Sequence, residues 1–191
     1  MNQYYKFSTT GYVDFGVQKA PLLREQSVMQ GRVIDPQKLP KLIFEHNFPI
    51  GESIPHFLTG GTVLASNKLL TVLESAGVDN YQAIPATLIN PNTNEIRADY
   101  FLFNILGLIE ATILADSNYD ELMEGSVEGG ELPLVAFNKI VIDRKKINGA
   151  DMFRLAEDPI NIVVSSEVVK ALKANKPKEG WGINIENLEV K

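Results

Sequence analysis

Hydrophobic and polar positions follow their most regular pattern between residues 139 and 185. Residues 139–143 are rich in β-branched side chains, and Met152–Leu155 alternates apolar with polar side chains, as a half-buried strand does. Asn148-Gly149 between them is a turn signal, because both residues tolerate a positive φ at little cost. This part of the chain therefore predicts two strands joined by a turn.

A helix is predicted directly after these strands. It begins at about residue 166, behind the N-cap candidate Ser165, and ends at about residue 175, before Pro177. Val168, Val169 and Leu172 lie on one face of it. Apolar runs before and after this helix, at residues 161–164 and 181–185, predict flanking strands.

An earlier stretch repeats this order of strand, serine and helix. Ser66 follows a short apolar run, and Leu69 and Leu73 then share a helical face before Gly77. A helix at about residues 66–76 is predicted. The repetition has two explanations, a common local solution or an old internal duplication.

Two longer strands are predicted between the helices. Residues 84–89 and 96–106 flank a polar turn at residues 90–94, so we expect them to pair antiparallel. Asn104 interrupts the second apolar run. Because a buried amide needs hydrogen-bond partners, we expect Asn104 to bridge neighbouring strands.

These elements predict one α+β domain, with mainly antiparallel sheet and two or three short helices packed on it. Residues 61–191 form its body, whereas residues 1–60 are rich in proline and glycine and predict an irregular segment that packs on the body. Within that segment, short strands are expected at residues 4–7 and 12–15, and a few turns of helix at residues 40–44.

Composition narrows the possible functions. The net charge of −6 argues against a nucleic-acid partner, and the absence of cysteine excludes disulfides and thiol chemistry. The longest apolar run, residues 100–109, is shorter than the roughly 20 residues that a membrane helix needs. The first residues lack the apolar core of a signal peptide. We therefore expect a cytoplasmic protein that contacts neither membrane nor nucleic acid.

One segment is strongly acidic. No lysine or arginine occurs between Arg97 and Lys139. The acidic residues of its second half are Asp116, Asp120, Glu121, Glu124, Glu128 and Glu131. We expect an exposed loop here, with one helical turn at residues 119–123. It is either a solvated loop or a docking surface for a basic partner, and it lacks the calcium-loop pattern.

Catalytic signatures are missing from the chain, which has neither a phosphate-binding loop nor a nucleophile motif. His46 and His56, with Glu45 and Glu52, form a metal set only in principle, so we predict no metal and no cofactor. Arg154 is the one basic side chain in a strand that otherwise resembles core. It either faces outward or contacts a partner group.

The chain resembles the eleventh numbered immunity-protein family of bacterial polymorphic toxin systems, a former domain of unknown function. The residues that carry the resemblance are the runs at 100–106, 140–143 and 163–165, Phe153-Arg154-Leu155, the helix after Ser66 and the closing Gly180-Trp181-Gly182-Ile183. They span roughly residues 60–186. The chain departs from the family pattern at Trp181, where a smaller residue is expected, and the first 60 residues add nothing to the likeness.

The resemblance implies a non-enzymatic protein that binds and neutralises a cognate toxin by occlusion, alone or as a homodimer. The acidic residues above and Arg154 are then the candidate partner-binding residues. Two alternatives remain open: a structural or assembly component of a phage- or secretion-related system, and a small enzyme with a site of carboxylates and Arg154.

Overall fold

The computed structural model describes residues 3–11, 14–60, 62–125, 127 and 132–191. Its strands are β1 (Tyr4–Thr9), β2 (Val17–Lys19), β3 (Ile43–His46), β4 (Phe57–Thr59), β5 (Val63–Ser66), β6 (Tyr81–Asn90), β7 (Glu95–Ile105), β8 (Leu108–Ile109), β9 (Asn118–Glu121), β10 (Val135–Lys139), β11 (Val141–Ile142), β12 (Met152–Leu155), β13 (Ile162–Ser165), β14 (Ile183–Asn187) and β15 (Glu189–Val190). Its helices are α1 (Asn67–Ser75), α2 (Arg144–Ile147) and α3 (Ser166–Ala174), with short 3-10 turns at Val28–Gln30, Pro36–Lys38 and Leu114–Asp116. This sheet-rich α+β architecture confirms the predicted fold class.

The six-stranded sheet has the order β2-β3-β6-β7-β5-β4. Its centre is the β6–β7 hairpin, whose antiparallel pairing confirms the two long strands predicted from the sequence. The Asn104 amide donates to Gln82 Oε1 across that hairpin and to the Arg32 carbonyl, both at 2.9 Å. Asn104 is therefore the predicted bridge between β7 and β6, and it also ties down the loop that contains Arg32.

The five-stranded sheet has the order β14-β1-β13-β12-β8, and β1 lies between two strands from the other end of the chain. Tyr4 pairs with Ser165 in β13, and Tyr5 pairs with Asn187 in β14. Alternate side chains of this sheet enter two different cores. Phe7 packs in the core between the two large sheets, whereas Phe153 packs in a smaller core on the opposite face.

Coverage on both faces explains why every side chain of β12 is buried. The alternation of Met152–Leu155 predicted a half-buried strand, and that prediction is wrong. The face of Arg154, which the pattern assigned to solvent, also carries Met152, and Met152 packs in the main core.

The two units of strand, serine and helix share detailed geometry. In the first unit Ser66 caps α1, and its N–H donates to the His56 carbonyl at 2.9 Å. In the second Ser165 caps α3, and its N–H donates to the Asp151 carbonyl at 2.9 Å. Each serine hydroxyl also bonds the side chain of that same residue, at 2.7 Å to His56 Nδ1 and 2.6 Å to Asp151 Oδ1. The repetition thus extends beyond the caps to the residue before the first strand of each unit, because His56 precedes β4 and Asp151 precedes β12.

Several local expectations need correction. Residues 40–44 do not form helical turns, because Ile43–His46 is β3 and pairs in parallel with β6. Residues 119–123 do not form a helical turn either, since Asn118–Glu121 is β9. The strand expected at residues 181–185 begins two residues later, at Ile183. Residues 12 and 13 of the strand expected at 12–15 lie outside the described residues.

The segment of residues 1–60 supplies strands to both sheets. β1 completes the five-stranded sheet, and β2, β3 and β4 belong to the six-stranded sheet. Between these strands the chain is largely irregular, and apolar side chains such as Val28 and Ile34 enter the main core. In the described part of the chain, no helix is long and apolar enough to cross a membrane.

Candidate functional site

In the second half of the acidic segment, β9 pairs with β10 as a two-stranded antiparallel hairpin outside the two large sheets. Both ends of its ladder are held by the rest of the fold. Val135 is fully buried and its N–H donates to the Glu157 carbonyl at 3.0 Å, while Ser117 Oγ accepts from the Val141 N–H at 3.0 Å. Residues 118–121 are thus a paired strand rather than loop, whereas residues 122–125 are exposed and carry neither helix nor strand, as expected from the sequence.

The surface called the hairpin tip here consists of the last two residues of β9, Asp120 and Glu121, and the three that follow, Leu122, Met123 and Glu124, and it combines acidic and apolar groups. Leu122 and Met123 are 65% and 62% exposed, and the three acids are also exposed. Exposed apolar side chains that are contiguous and rimmed by polar residues commonly mark protein-interaction sites. The tip therefore has the composition of a protein-binding patch, with apolar contacts inside a charged rim.

The remaining predicted acids differ in their surroundings. Asp116 pairs with Lys191 at 3.0 Å, so its charge is already compensated within the fold. Asp120 accepts a hydrogen bond from Asn138 Nδ2 at 3.1 Å and keeps its carboxylate at the surface. Glu128 and Glu131 lie outside the described residues.

Arg154 is completely buried, so the outward-facing interpretation is wrong and the structure does not bring it to the surface beside the acids. Nη1 donates to the Pro159 carbonyl at 2.5 Å. Nε and Nη2 have no partner among the described residues. Burial lowers the pKa of Arg154 to about 10, so the guanidinium still carries its charge at neutral pH.

The two histidines lie in separate environments. His46 is buried in β3, where Nδ1 accepts from the Phe48 N–H at 3.2 Å, and burial lowers its pKa. Among the described residues, no group of three or more His, Asp and Glu side chains is placed to hold a metal ion.

His56 stands between a serine and a carboxylate. Nδ1 lies 2.7 Å from Ser66 Oγ, and Nε2 lies 3.4 Å from Glu179 Oε1. The arrangement resembles a Ser-His-acid triad, but Ser66 is buried and its hydroxyl accepts from the Leu69 N–H to cap α1. The role of Ser66 is therefore to cap and position α1. Burial is the main reason that the pKa of His56 is lowered.

Trp181 packs edge-on against His56, and its ring N–H donates to the Leu172 carbonyl at 2.8 Å. This large side chain, at the position where the family pattern led us to expect a smaller one, fills space between α3 and the His56 ring. It is a structural residue with 7% of its surface exposed.

Sequence reasoning missed the apolar half of the hairpin tip. The signal was available as the pair Leu122-Met123 inside an acidic run, where a purely solvated loop needs no large apolar residues. The exposed Leu132 and Leu134 on the returning side of the hairpin belong to the same pattern.

Comparison with known proteins gives one family. The family model described as immunity protein family (Imm11) matches residues 15–187. No curated protein matches the chain. The match begins at residue 15, so it includes most of the first 60 residues, which the resemblance at residues 60–186 had left out.

Proposed function

The chain belongs to the Imm11 immunity protein family, and on that premise we propose that it binds and neutralises a cognate bacterial toxin. In this proposal the hairpin tip is the contact surface, and neutralisation is by occlusion without catalysis. The protein acts in the cytoplasm, where it meets the toxin before the toxin reaches its target. The observation that carries the proposal is the exposed pair Leu122 and Met123 between surface carboxylates.

The chemistry of the tip selects a basic partner. Asp120, Glu121 and Glu124 are exposed, and the sequence contains no lysine or arginine from residue 98 to residue 138. Such a concentration of one charge raises the association rate with an oppositely charged face. A toxin that attacks nucleic acids or nucleotides presents that kind of face, because its substrate carries phosphates.

The apolar pair has a different role. Burial of Leu122 and Met123 against the toxin contributes on the order of 1–2 kcal/mol each, since most of their surface is in water in the free protein. This contribution acts after encounter and slows dissociation. The acids and the apolar pair should therefore affect different rate constants.

The test is a kinetic binding experiment against the toxin, taken as the product of the neighbouring gene. The association and dissociation rate constants are measured at about 50 mM and about 300 mM salt. We expect a variant with Asp120, Glu121 and Glu124 changed to serine to associate roughly tenfold more slowly at low salt and to lose most of the salt dependence. A control variant with Glu25, Glu52 and Asp79 changed to serine carries the same net charge. Its association should stay within about twofold of wild type.

A second variant, with Leu122 and Met123 changed to serine, should dissociate faster and keep its salt dependence. An unchanged association rate in the acidic variant together with an unchanged dissociation rate in the apolar variant would remove the hairpin as the contact surface. Absence of binding, or binding that leaves toxicity intact, would refute the proposed function itself. Light scattering of the complex decides between a one-to-one complex and a homodimer.

A further inference from the structure

A cavity of about 580 Å³ lies between the two large sheets, where β13 begins. Its walls include the main-core residues Phe7, Phe57, Val63 and Ile162. Ile160 also lines it and is 75% exposed, so the cavity reaches the surface. Volumes of roughly 300–1,000 Å³ with mostly apolar walls are typical of small-molecule sites.

Arg154 contributes the charge of this cavity. Arg154 pairs with Ile162 across β12 and β13, and Ile162 pairs with Phe7 across β13 and β1. The three side chains therefore stand in one row on the face that the cavity occupies. The guanidinium is fully buried, and two of its three nitrogens have no partner among the described residues.

A second polar group in the cavity wall is also unpartnered. Thr62 is 5% exposed, lines the cavity, and its hydroxyl has no hydrogen-bond partner among the described residues. A buried guanidinium with unused donors is costly, because its charge has lost water and gained little in return. Buried groups of this kind mark a place where a ligand completes the hydrogen bonding.

We propose that this cavity binds a small organic acid, whose carboxylate pairs with Arg154 and whose apolar chain packs against Phe7 and Phe57. A guanidinium offers two parallel N–H donors, and Nε with Nη2 is one of the edges that matches a carboxylate. The other charged residues of the lining are Lys6 and Glu186, one of each sign, so Arg154 leaves the cavity with a single net positive charge. A monoanion with an apolar tail fits that charge and those walls.

The inference is independent of the hairpin surface, and the probe is sodium octanoate, titrated into the full chain by calorimetry. We expect saturable binding at one octanoate per chain. 1-Octanol, which has the same chain without the charge, should bind at least about tenfold more weakly, because a charge-assisted pair is lost. Inorganic phosphate should not compete, since it has no apolar chain for the walls.

Two pairs of variants locate the site. Arg154→Met keeps a long apolar side chain, and it should weaken octanoate binding by at least about tenfold while leaving octanol binding unchanged or tighter. At the exposed mouth, Ile160→Glu should weaken octanoate binding, and Ile160→Gln should not. The two Ile160 variants test the proposal even if Arg154→Met does not fold.

Preferential binding of octanoate that depends on Arg154, or on the charge at position 160, would support the proposal. It would be overturned by the absence of saturable octanoate binding or by equal affinities for octanoate and octanol. Octanoate affinity that is unchanged in both Arg154→Met and Ile160→Glu would also overturn it.

Discussion

The Asn104 bridge gives a stability prediction with a defined magnitude. Asn104 is fully buried, and its amide nitrogen donates to the Arg32 carbonyl and to Gln82 Oε1, both at 2.9 Å. Gln82 Oε1 also accepts from the Ile34 N–H at 2.7 Å, and Gln82 Nε2 donates to the Ile34 carbonyl at 3.1 Å. Asn104 and Gln82 therefore hold the loop at residues 32–34 against the β6–β7 hairpin.

Asn104→Ala removes both donated hydrogen bonds and leaves the Arg32 carbonyl unpaired. Each bond contributes about 1 kcal/mol net, and a partly buried carbonyl left unpaired adds a cost at the low end of about 1–3 kcal/mol. Part of this loss of stability is offset, because the substitution also removes Asn104 Oδ1, a buried acceptor that has no partner among the described residues. We expect the free energy of unfolding to fall by about 2–3 kcal/mol, which lowers Tm by roughly 4–12 °C in a chain of this size.

Asn104→Asp tests the direction of the bonds. It sets an oxygen against two acceptors, so the buried carboxyl should have a raised pKa in the folded state. The part of the penalty that comes from ionisation is then largest at neutral pH, shrinks as pH falls through the folded-state pKa, and disappears below the unfolded pKa of about 3.9.

Urea unfolding of wild type and both variants from pH 7 to pH 4.5 measures these differences. A loss below about 0.5 kcal/mol in Asn104→Ala would show that the amide does not bridge the strands. An Asn104→Asp penalty that does not change with pH would show that the site is not desolvated.

Two further predictions concern other buried positions. The lowered pKa of His46 means that the unfolded state binds the proton first, so stability should fall as pH drops below about 6.5 and level off below the folded-state pKa. His46→Asn keeps an acceptor for the Phe48 N–H and should flatten the stability profile between pH 7 and pH 5, whereas parallel profiles would contradict the assignment. Gly182 has a φ of +70°, and a Cβ there would lie 2.4 Å from Pro55 Cβ, so Gly182→Ala should cost well over the 1–2 kcal/mol of left-handed strain alone. Gly180→Ala, at a φ of +82° with no atom within 4 Å, is the matched control, and equal losses in urea unfolding of the two variants would show that the close approach is unimportant.

Local features of the fold could be predicted because their causes are neighbours in sequence. Ser66 and Ser165 cap helices whose own first turns supply the N–H donors. The turn at Asn148-Gly149 depends only on the φ values of 53° and 76° that these two residues adopt. Signals of this kind need no knowledge of the rest of the chain.

Features set by distant pairing could not be predicted in the same way. Arg154 occupies the position that alternation assigns to solvent, yet the six-stranded sheet packs over that face, so its burial follows from tertiary structure. The prediction of a helical turn at residues 119–123 was wrong because pairing with β10 decides the conformation of β9. At the candidate site, the charge of the segment was visible in the sequence, whereas the pairing of Asp116 with Lys191 was not.

The place of β1 in its sheet has a consequence for the order of folding during synthesis. The strands of the six-stranded sheet all lie at or before Ile105, so that sheet can assemble while the later part of the chain is still being made. β1 is synthesised first, but its neighbours are Ile162–Ser165 and Ile183–Asn187. β1 must therefore remain unpaired until the ribosome has produced β13, and its other edge stays open until β14 follows. Closing this long loop is a slow step. The floor of the Arg154 cavity, which β1 and β13 form together, is consequently among the last parts of the molecule to take shape.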